Sequence, residues 1–145
     1  MAKVLAICIS EERGVQKHPV PEAELREGHG IVGDAHAGSW HRQVSLLSQE
    51  SVDTLQEKIT MRLKPGDFAE NILLEGLSVH TLPVGERLQI GTAVCEVTQI
   101  GKTCHQDCPI RQAAGDCVMP REGIFTKVLQ SGHVKPGDEV TLLDA

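Results

Sequence analysis

The sequence predicts a mainly β protein that folds as one barrel-like domain over residues 1–145, with a few short helices. Short runs of Val, Ile and Leu are punctuated throughout by Gly and Pro, as expected of strands joined by tight turns. Aromatic residues make up only 2% of the chain, so aliphatic side chains must fill the core. A chain of 145 residues fits one domain, and no linker rich in Ser, Gly or Pro divides it.

The apolar pattern places the expected elements along the chain in order. The first strand falls within residues 1–10, and further strands are expected at residues 43–47, 87–90, 93–100, 124–129 and 139–143. One helix is expected over residues 49–58. Ser48 precedes it as an N-cap, and Val52 and Leu55 form a narrow apolar stripe on one face.

A repeated turn motif supports a barrel of short strands. Residues 64–67 and 135–138 both have the sequence Lys-Pro-Gly-Asp, and residues 82–86, Leu-Pro-Val-Gly-Glu, are a looser third instance. Pro fixes φ near the start of a turn, and Gly tolerates positive φ. Turns need these residue types in any case, so the motif organises the fold and predicts no chemistry.

Composition and charge exclude several functional classes. The formal net charge of −6 repels a polyanion and few aromatic rings are available for base stacking, so we expect no nucleic-acid partner. No apolar run approaches the ~20 residues of a membrane span, so we expect no membrane partner. The N-terminal stretch lacks an export signal, and five cysteines, an odd number, are then expected as reduced thiols in the cytoplasm.

The first segment that looks unlike scaffolding is a Gly-Asp-Ala-His-Ala-Gly stretch, called here the 33–38 loop. Its notable residues are Gly33, Asp34, His36 and Gly38, and Arg42 follows shortly after. Glycines let a backbone approach a ligand closely, and the imidazole and guanidinium groups supply polar contacts. A surface loop with a solvated histidine would show the same pattern, so both interpretations stay open.

A second segment, residues 66–71, ends in Asn71. The Asn71 amide can both donate and accept hydrogen bonds, either to a bound heterocycle or to a loop backbone. Asparagine also closes turns, and the residues alone favour that structural role.

The third segment is the strongest candidate for chemistry. It follows the predicted strand 93–100, so Cys104 lies where the chain leaves the sheet, a common position for functional residues. Lys102 and the adjacent histidine favour the Cys104 thiolate, the form that attacks electrophiles and ligates metals. Cys8 and Cys95 lie instead within apolar strand patterns, which predicts inert core thiols.

Two other interpretations of the cysteines stay open. Cys104, Cys108 and Cys117 with a local histidine could bind structural zinc, although only one pair has the short spacing typical of such sites. A redox disulfide between Cys104 and Cys108 is the second alternative, because a three-residue spacer permits a bridge in a tight turn.

Together these segments resemble MOSC domains, named for the C-terminal domain of molybdenum cofactor sulfurase. The similarity runs from about residue 4 to residue 143. It rests on four motifs in the family's order, namely residues 33–38, 66–71, 101–104 (Gly-Lys-Thr-Cys) and 123–138, the last with glycines at 123, 132 and 137. Each motif alone is weak, whereas four in order with compatible spacing are fairly specific.

The resemblance implies a mostly β, barrel-like fold with a pocket associated with the molybdenum cofactor. In relatives that reduce N-hydroxylated compounds, a cysteine in the segment matching residues 101–104 binds molybdenum through its sulfur. In sulfurases the domain presents the cofactor, or relays sulfur, to a cysteine desulfurase domain. Carried over to this chain, the thiol is that of Cys104, and His36 and Asn71 occupy pocket-facing positions. The common pattern of Arg before Pro-Cys is replaced here by Lys102 and Thr103 before the cysteine.

We therefore expect a cytoplasmic protein that binds the molybdenum cofactor and acts in its sulfuration, sulfur relay or delivery, with Cys104 as the reactive residue and the metal or sulfur ligand. The expected cofactor contacts are Gly33, Asp34, His36, Gly38, Arg42, Asn71, Lys102 and Thr103. Backbone donors of the glycine-rich loops and one of Arg42, Lys102 and Arg121 are expected to hold the pterin phosphate. A cysteine desulfurase or a molybdoenzyme is the expected partner. The alternatives are a molybdenum-dependent reductase of N-hydroxylated compounds with an external electron donor, and a zinc-bound or structural adaptor of the cofactor pathway.

Overall fold

The computed structural model describes residues 2–13, 15–101 and 122–143. Within them the strands are β1 (Ala2–Ile9), β2 (His18–Val20), β3 (Ala23–Arg26), β4 (Gly30–Ile31), β5 (Val44–Ser48), β6 (Ile72–Glu75), β7 (Arg87–Ile90), β8 (Ala93–Ile100), β9 (Ile124–Gln130), β10 (Gly132–Val134) and β11 (Glu139–Leu143). The α-helix α1 spans Gln49–Gln56, and a 3-10 turn spans Val79–Thr81. In this part of the chain, no helix has the length and apolarity needed to cross a membrane.

Seven strands close into a barrel, which confirms the predicted fold class. Their order is β11, β7, β8, β9, β5, β6 and β1, and β1 pairs again with β11 to complete the ring. The pairing of β5 with β6 is parallel, and the other described pairings in the ring are antiparallel. β2 adds to the other end of β1, and β10, β3 and β4 form a separate three-stranded sheet.

The helix exists because β5 and β6 run in parallel. Parallel neighbours need a crossover connection, and α1 lies in the chain between them. The helix ends at Gln56, two residues earlier than expected, and it begins after Ser48 as predicted. The Ser48 hydroxyl does not cap the helix: it donates to Leu77 O at 2.6 Å and accepts from Val79 N at 3.0 Å, so it ties α1 to the following 3-10 turn.

The core divides into two clusters because successive strand residues point to opposite faces. Leu46 and Ile72 belong to the larger cluster, whose buried side chains are all Val, Ile, Leu, Ala or Cys. Leu47 and Leu73 belong to the smaller cluster, which includes Leu55 of α1 and both phenylalanines. The larger cluster therefore fills the barrel, and the smaller one joins the barrel's outer face to the helix. The expectation of an aliphatic core is confirmed for the barrel interior.

All the predicted strands are found, and five further short strands were not predicted. The predicted segments 87–90, 93–100 and 139–143 coincide with β7, β8 and β11, while β5 starts one residue later than expected and β9 extends to Gln130. Strands β2, β3, β4, β6 and β10 were not predicted. Each has only two to four residues, so its apolar pattern is weak, and of the strands this short only β7 was predicted.

The two Lys-Pro-Gly-Asp turns adopt the same geometry. In each, the lysine N–H donates to the aspartate Oδ2, at 2.8 Å in residues 64–67 and 3.0 Å in residues 135–138. Gly66 and Gly137 have φ of +91° and +94°, which favours glycine. The turns differ in surroundings: a Cβ on Gly66 would lie 2.0 Å from Lys17 O, whereas one on Gly137 would have no atom within 4 Å.

Candidate functional site

The 33–38 loop joins β4 to β5, and its backbone is tied down at five successive amides. The N–H groups of residues 34 to 38 donate, in order, to Ile31 O, Ser10 O, Asp34 Oδ2, Asp34 O and His29 O, at 2.7–3.2 Å. Gly33 is exposed with φ of +91° and has nothing near the position of a Cβ. The glycines therefore shape the loop, and a ligand above it meets side chains rather than the amides that the sequence led us to expect.

A buried ion pair fixes the loop to the segment between β1 and β2. Lys17 Nζ lies 2.7 Å from Asp34 Oδ1, and the two side chains are 1% and 0% exposed. Nζ also donates to Ser10 Oγ at 3.0 Å and contacts His36 Nδ1 at 3.0 Å. These four residues are called here the Lys17 cluster. A buried charge must be both paired and hydrogen-bonded, and the Asp34 carboxylate meets this need through Lys17 and neighbouring donors within the protein.

His36 is half-buried and held in a stack of rings. Its ring is parallel to that of Trp40 within 4°, with centroids 6.4 Å apart, and Trp40 Nε1 donates to His36 O at 2.7 Å. The Arg13 guanidinium lies 4.8 Å from the Trp40 ring centroid, and its Nε donates to Ala35 O at 3.2 Å. Arg13 therefore brings a cation to the loop. Sequence reasoning missed it, because no pattern marks an arginine that will stack on a distant tryptophan.

Arg42 supplies a second cation next to the end of β8. Its Nε donates to Gln99 Oε1 at 3.2 Å, and its guanidinium lies 5.1 Å from the centroid of the Phe125 ring. His41 Nε2 donates to the same Gln99 oxygen at 2.9 Å, and Gln99 Nε2 donates to Gly101 O at 2.8 Å. The Gln99 amide thus connects both basic side chains to the position where the chain leaves β8.

The chain departs from the barrel and returns to it at one place. Gly101 N donates to Gly123 O at 2.6 Å, at the ends of β8 and β9. The segment between them lies outside the described residues, and it contains Lys102, Thr103, Cys104, Cys108, Cys117 and Arg121. The expectations for these residues remain predictions.

Asn71 lies in the wall of the barrel. It is 1% exposed, its Oδ1 accepts from Ser45 N at 2.9 Å and Ser45 Oγ at 3.2 Å, and its Nδ2 donates to Cys8 O at 3.1 Å. These bonds satisfy both ends of the amide within the protein and fix the start of β6 between β1 and β5. A cofactor contact at Asn71 remains a prediction.

Glu70 is an unexpected buried acid next to Asn71. Its side chain accepts from Gly66 N at 2.8 Å and Phe68 N at 3.1 Å. Burial raises the pKa of Glu70 from 4.5 to about 7, although the hydrogen bonds from the two amides act in the opposite direction. Sequence reasoning missed it because glutamate side chains are usually exposed.

The two described thiols are inert, as predicted. Cys8 and Cys95 are both 0% exposed. Burial raises the pKa of each thiol to about 12, so neither forms a thiolate near neutral pH. Among the described residues, no group of three or more His, Cys, Asp and Glu side chains is arranged to hold a metal ion.

A cavity of about 450 Å³ opens elsewhere, beside the 135–138 turn. Its lining includes Gly91, Thr92 and His133. None of the predicted site residues that the structure describes lines it, so this cavity is separate from the 33–38 loop.

Comparison with known proteins confirms the resemblance. The sequence profile of the MOSC domain matches residues 33–141. The protein YflK of Bacillus subtilis is 24% identical over 91% of this chain, which spans 64% of YflK, less than two thirds of that relative's length. Two solved structures share the fold. The YuaD protein from Bacillus subtilis has a TM-score of 0.79 at 21% identity, covering 98% of this chain and 96% of its own. YiiM from Geobacillus stearothermophilus has a TM-score of 0.75 at 19% identity, and the match covers 99% of this chain and 76% of YiiM.

Proposed function

This chain belongs to the MOSC domain family, and on that premise we propose that it binds the molybdenum cofactor beside the 33–38 loop and acts, through Cys104, in sulfuration of the cofactor, sulfur relay or delivery. The family is associated with the molybdenum cofactor. A cysteine desulfurase or a molybdoenzyme is the proposed partner.

The observation that carries the proposal is the way the loop with the family's first motif is held. Lys17 neutralises the Asp34 carboxylate beneath the loop, so that negative charge does not face a ligand. His36 is left half-buried at the surface beside Arg13 and Trp40. The loop therefore carries an imidazole ring and the Arg13 cation at its surface, on a chain whose net charge is −6, which suits a small anion rather than a polyanion.

The basic side chains around the loop fit the phosphate of a pterin cofactor. Arg13 and Arg42 hydrogen-bond to neutral acceptors, Ala35 O and Gln99 Oε1. Within the described part of the chain, neither forms an ion pair with a carboxylate. A guanidinium whose charge is not already neutralised is well suited to bidentate recognition of phosphate. Arg13 and Arg42 are the residues that would hold this group.

Cys104 is proposed as the sulfur ligand on the basis of the sequence and the family, since it lies outside the described residues. When bound, the cofactor supplies a molybdenum centre for which a soft thiolate is a suitable ligand. In relay, the Cys104 thiolate attacks the outer sulfur of a desulfurase persulfide, takes up that sulfur atom and leaves the desulfurase cysteine as a thiolate. Attack by a Cys108 thiolate on the inner Cys104 sulfur would then form a disulfide and release sulfide.

The test compares the wild type with Cys104→Ser and with Cys117→Ser as the matched cysteine control, all produced in a host that makes the cofactor. Molybdenum is measured by elemental analysis, and the pterin by fluorescence after oxidation. Labile sulfane sulfur and released sulfide are measured after incubation with a cysteine desulfurase and cysteine. We expect the wild type and Cys117→Ser to hold cofactor and to take up sulfur from the desulfurase, measured as sulfane sulfur or as the sulfide that Cys108 releases, and Cys104→Ser to lose both.

Other results would contradict the proposal in distinct ways. Stoichiometric zinc without molybdenum or pterin in the wild type would favour the adaptor. Turnover of an N-hydroxylated base with a reductant would favour the reductase. Equal sulfane sulfur and equal released sulfide in the wild type and Cys104→Ser would remove Cys104 from any relay.

A further inference from the structure

A β-bulge in β8 brings the Gln99 side chain to the outside of the barrel. Val97 pairs with Thr126 of β9, and Gln99 pairs with Phe125. β8 thus advances two residues where β9 advances one, and Thr98 is the extra residue. Val97 belongs to the cluster inside the barrel, and strict alternation would point Gln99 the same way. The bulge instead sets Gln99 on the face of Phe125, which belongs to the cluster on the outer face.

The Gln99 amide has one orientation that satisfies its neighbours. Its Nε2 donates to Gly101 O at 2.8 Å, while its Oε1 accepts from Arg42 Nε at 3.2 Å. A carbonyl oxygen can only accept and an arginine Nε can only donate, so a flipped amide would lose both bonds. The second lone pair of Oε1 accepts from His41 Nε2 at 2.9 Å. The hydrogen-bonding capacity of this oxygen is therefore filled, and its position relative to Arg42 is fixed.

The Arg42 guanidinium is held at one edge and open at the other. Its Nε–H points to Gln99, and its central carbon lies 5.1 Å from the centroid of the Phe125 ring. A guanidinium carries four more N–H groups, on Nη1 and Nη2. Among the described residues, no acceptor is bonded to these four groups, and the Arg42 side chain is half-buried rather than enclosed. Two parallel N–H groups at this edge match two oxygens of a phosphate.

We propose that Gln99 is a positioning residue: it holds Arg42 through Nε, so that Nη1 and Nη2 bind two oxygens of a phosphate end-on. That this phosphate belongs to the molybdenum cofactor rests on the proposed function, whereas the end-on geometry does not. A long arginine side chain loses rotamer freedom when it binds a ligand, and a guanidinium that is already fixed avoids that loss. Glutamine suits this role because its oxygen is uncharged. A carboxylate would accept the same bond but would also neutralise the cation that attracts the phosphate.

Proton–nitrogen NMR spectra of the cofactor-free wild type, titrated with inorganic phosphate, test the end-on geometry. Arg42→Lys identifies the side-chain signals of Arg42, and sodium chloride at matched ionic strength is the control. We expect phosphate alone to give a saturable shift of the terminal N–H signals, while the Nε–H stays protected from exchange with water. No shift, or an equal shift with chloride, would overturn the phosphate site. Loss of Nε–H protection on phosphate binding would refute end-on binding.

Gln99→Leu tests the positioning role, with Gln89→Leu as the matched control. Gln89 Nε2 also donates to the carbonyl of a glycine two residues on, Gly91 O at 3.3 Å, and no described arginine donates to Gln89. We expect phosphate to bind about tenfold more weakly to Gln99→Leu, as for the loss of one hydrogen bond to a charged group, and equally to Gln89→Leu and the wild type. The Arg42 Nε–H should lose its protection in Gln99→Leu alone. Unchanged phosphate affinity in folded Gln99→Leu would refute the positioning role even if its unfolding midpoint falls, because Gln99 would then serve only the fold.

Gln99→Glu separates the position of Arg42 from its charge. The carboxylate can accept from Arg42 Nε, so the Nε–H should stay protected while phosphate affinity falls by about tenfold or more. Wild-type affinity in Gln99→Glu would overturn the need for a neutral acceptor. If neither Gln99 variant folds, the wild type decides: an Arg42 Nε–H that exchanges with water as fast as that of the exposed Arg62 would count against the proposal.

These measurements also separate this inference from the proposed function, because phosphate binding is measured without the cofactor. A purified protein that lacks molybdenum and pterin would defeat the proposed function and leave the role of Gln99 unaffected. A wild type that holds the cofactor but shows no response of Arg42 to phosphate would defeat the role of Gln99 alone.

Discussion

Glu70→Gln should change how the stability of the protein depends on pH. The Glu70 side chain is 1% exposed, and burial raises its pKa from 4.5 to about 7. At a pH below 4.5, the pKa in the unfolded chain, the Glu70 carboxyl is protonated in both the folded and the unfolded state. As pH rises from 4.5 to about 7, the unfolded chain releases the proton and the folded chain retains it, so stability falls through this window.

The magnitude follows from the difference between the two pKa values. At about 1.4 kcal/mol for each pKa unit, raising the pKa from 4.5 to about 7 corresponds to a loss of about 3 kcal/mol by the time the folded state is ionised. Glutamine cannot ionise, so Glu70→Gln should lack this loss. It should also carry a constant cost, because an amide offers one acceptor oxygen to the Gly66 and Phe68 N–H groups instead of two.

Urea unfolding of the reduced protein between about pH 4.5 and 8 separates these two effects. The free energy of unfolding of the wild type should fall by about 3 kcal/mol relative to that of Glu70→Gln across this pH range. This change is expected whichever of the two proteins is more stable at the lowest pH. Glu57→Gln serves as control, since Glu57 is exposed at the end of α1, and it should leave the pH dependence unchanged. A constant difference between wild type and Glu70→Gln would refute the argument.

Two further pairs of variants test how the Lys17 segment is held. Gly66→Ala should destabilise the protein far more than Gly137→Ala. Both positions have positive φ, and the left-handed strain on an alanine is about 1–2 kcal/mol at each. A Cβ on Gly66 alone would also lie 2.0 Å from Lys17 O, so equal unfolding midpoints for the two variants would contradict this packing. Lys17→Met should cost about 3–5 kcal/mol because it leaves the Asp34 carboxylate buried and unpaired. Lys135→Met, which removes an exposed ion pair, should leave thermal stability unchanged within error. Similar losses of stability in the two lysine variants would show that burial of the ion pair does not decide how much stability is lost.

The fold was predictable where apolar patterns are long. The eight-residue strand β8 and the five-residue strand β11 were found from alternation alone. Strand β6 was missed although Ile72, Leu73 and Leu74 are apolar, because burial on both faces removes the alternation that marks a strand. The two-residue strand β4 lies below any periodic signal. The ring closes where β1 pairs with β11, and these strands lie at opposite ends of the sequence. Local apolar patterns carry no information about pairing between such distant segments.

The candidate site was only partly predictable, for a physical reason. Glycine and histidine mark the 33–38 loop because their backbone freedom and side-chain chemistry are properties of the residues themselves. The role of Lys17 depends on burial next to Asp34, which is a property of the fold. A lysine is normally exposed, so the sequence offered no reason to place Lys17 under the loop. The stacking of Arg13 on Trp40 is likewise set by tertiary structure.

The bond from Gly101 to Gly123 has an evolutionary consequence. The ring of seven strands closes through pairings among described strands alone, and the stretch 102–121 is attached where β8 and β9 already meet. Doubling the length of such an insert costs only about 0.6 kcal/mol of closure entropy, and no strand has to change register. Descendants of this scaffold can therefore change the length and sequence of residues 102–121 while they inherit the barrel intact.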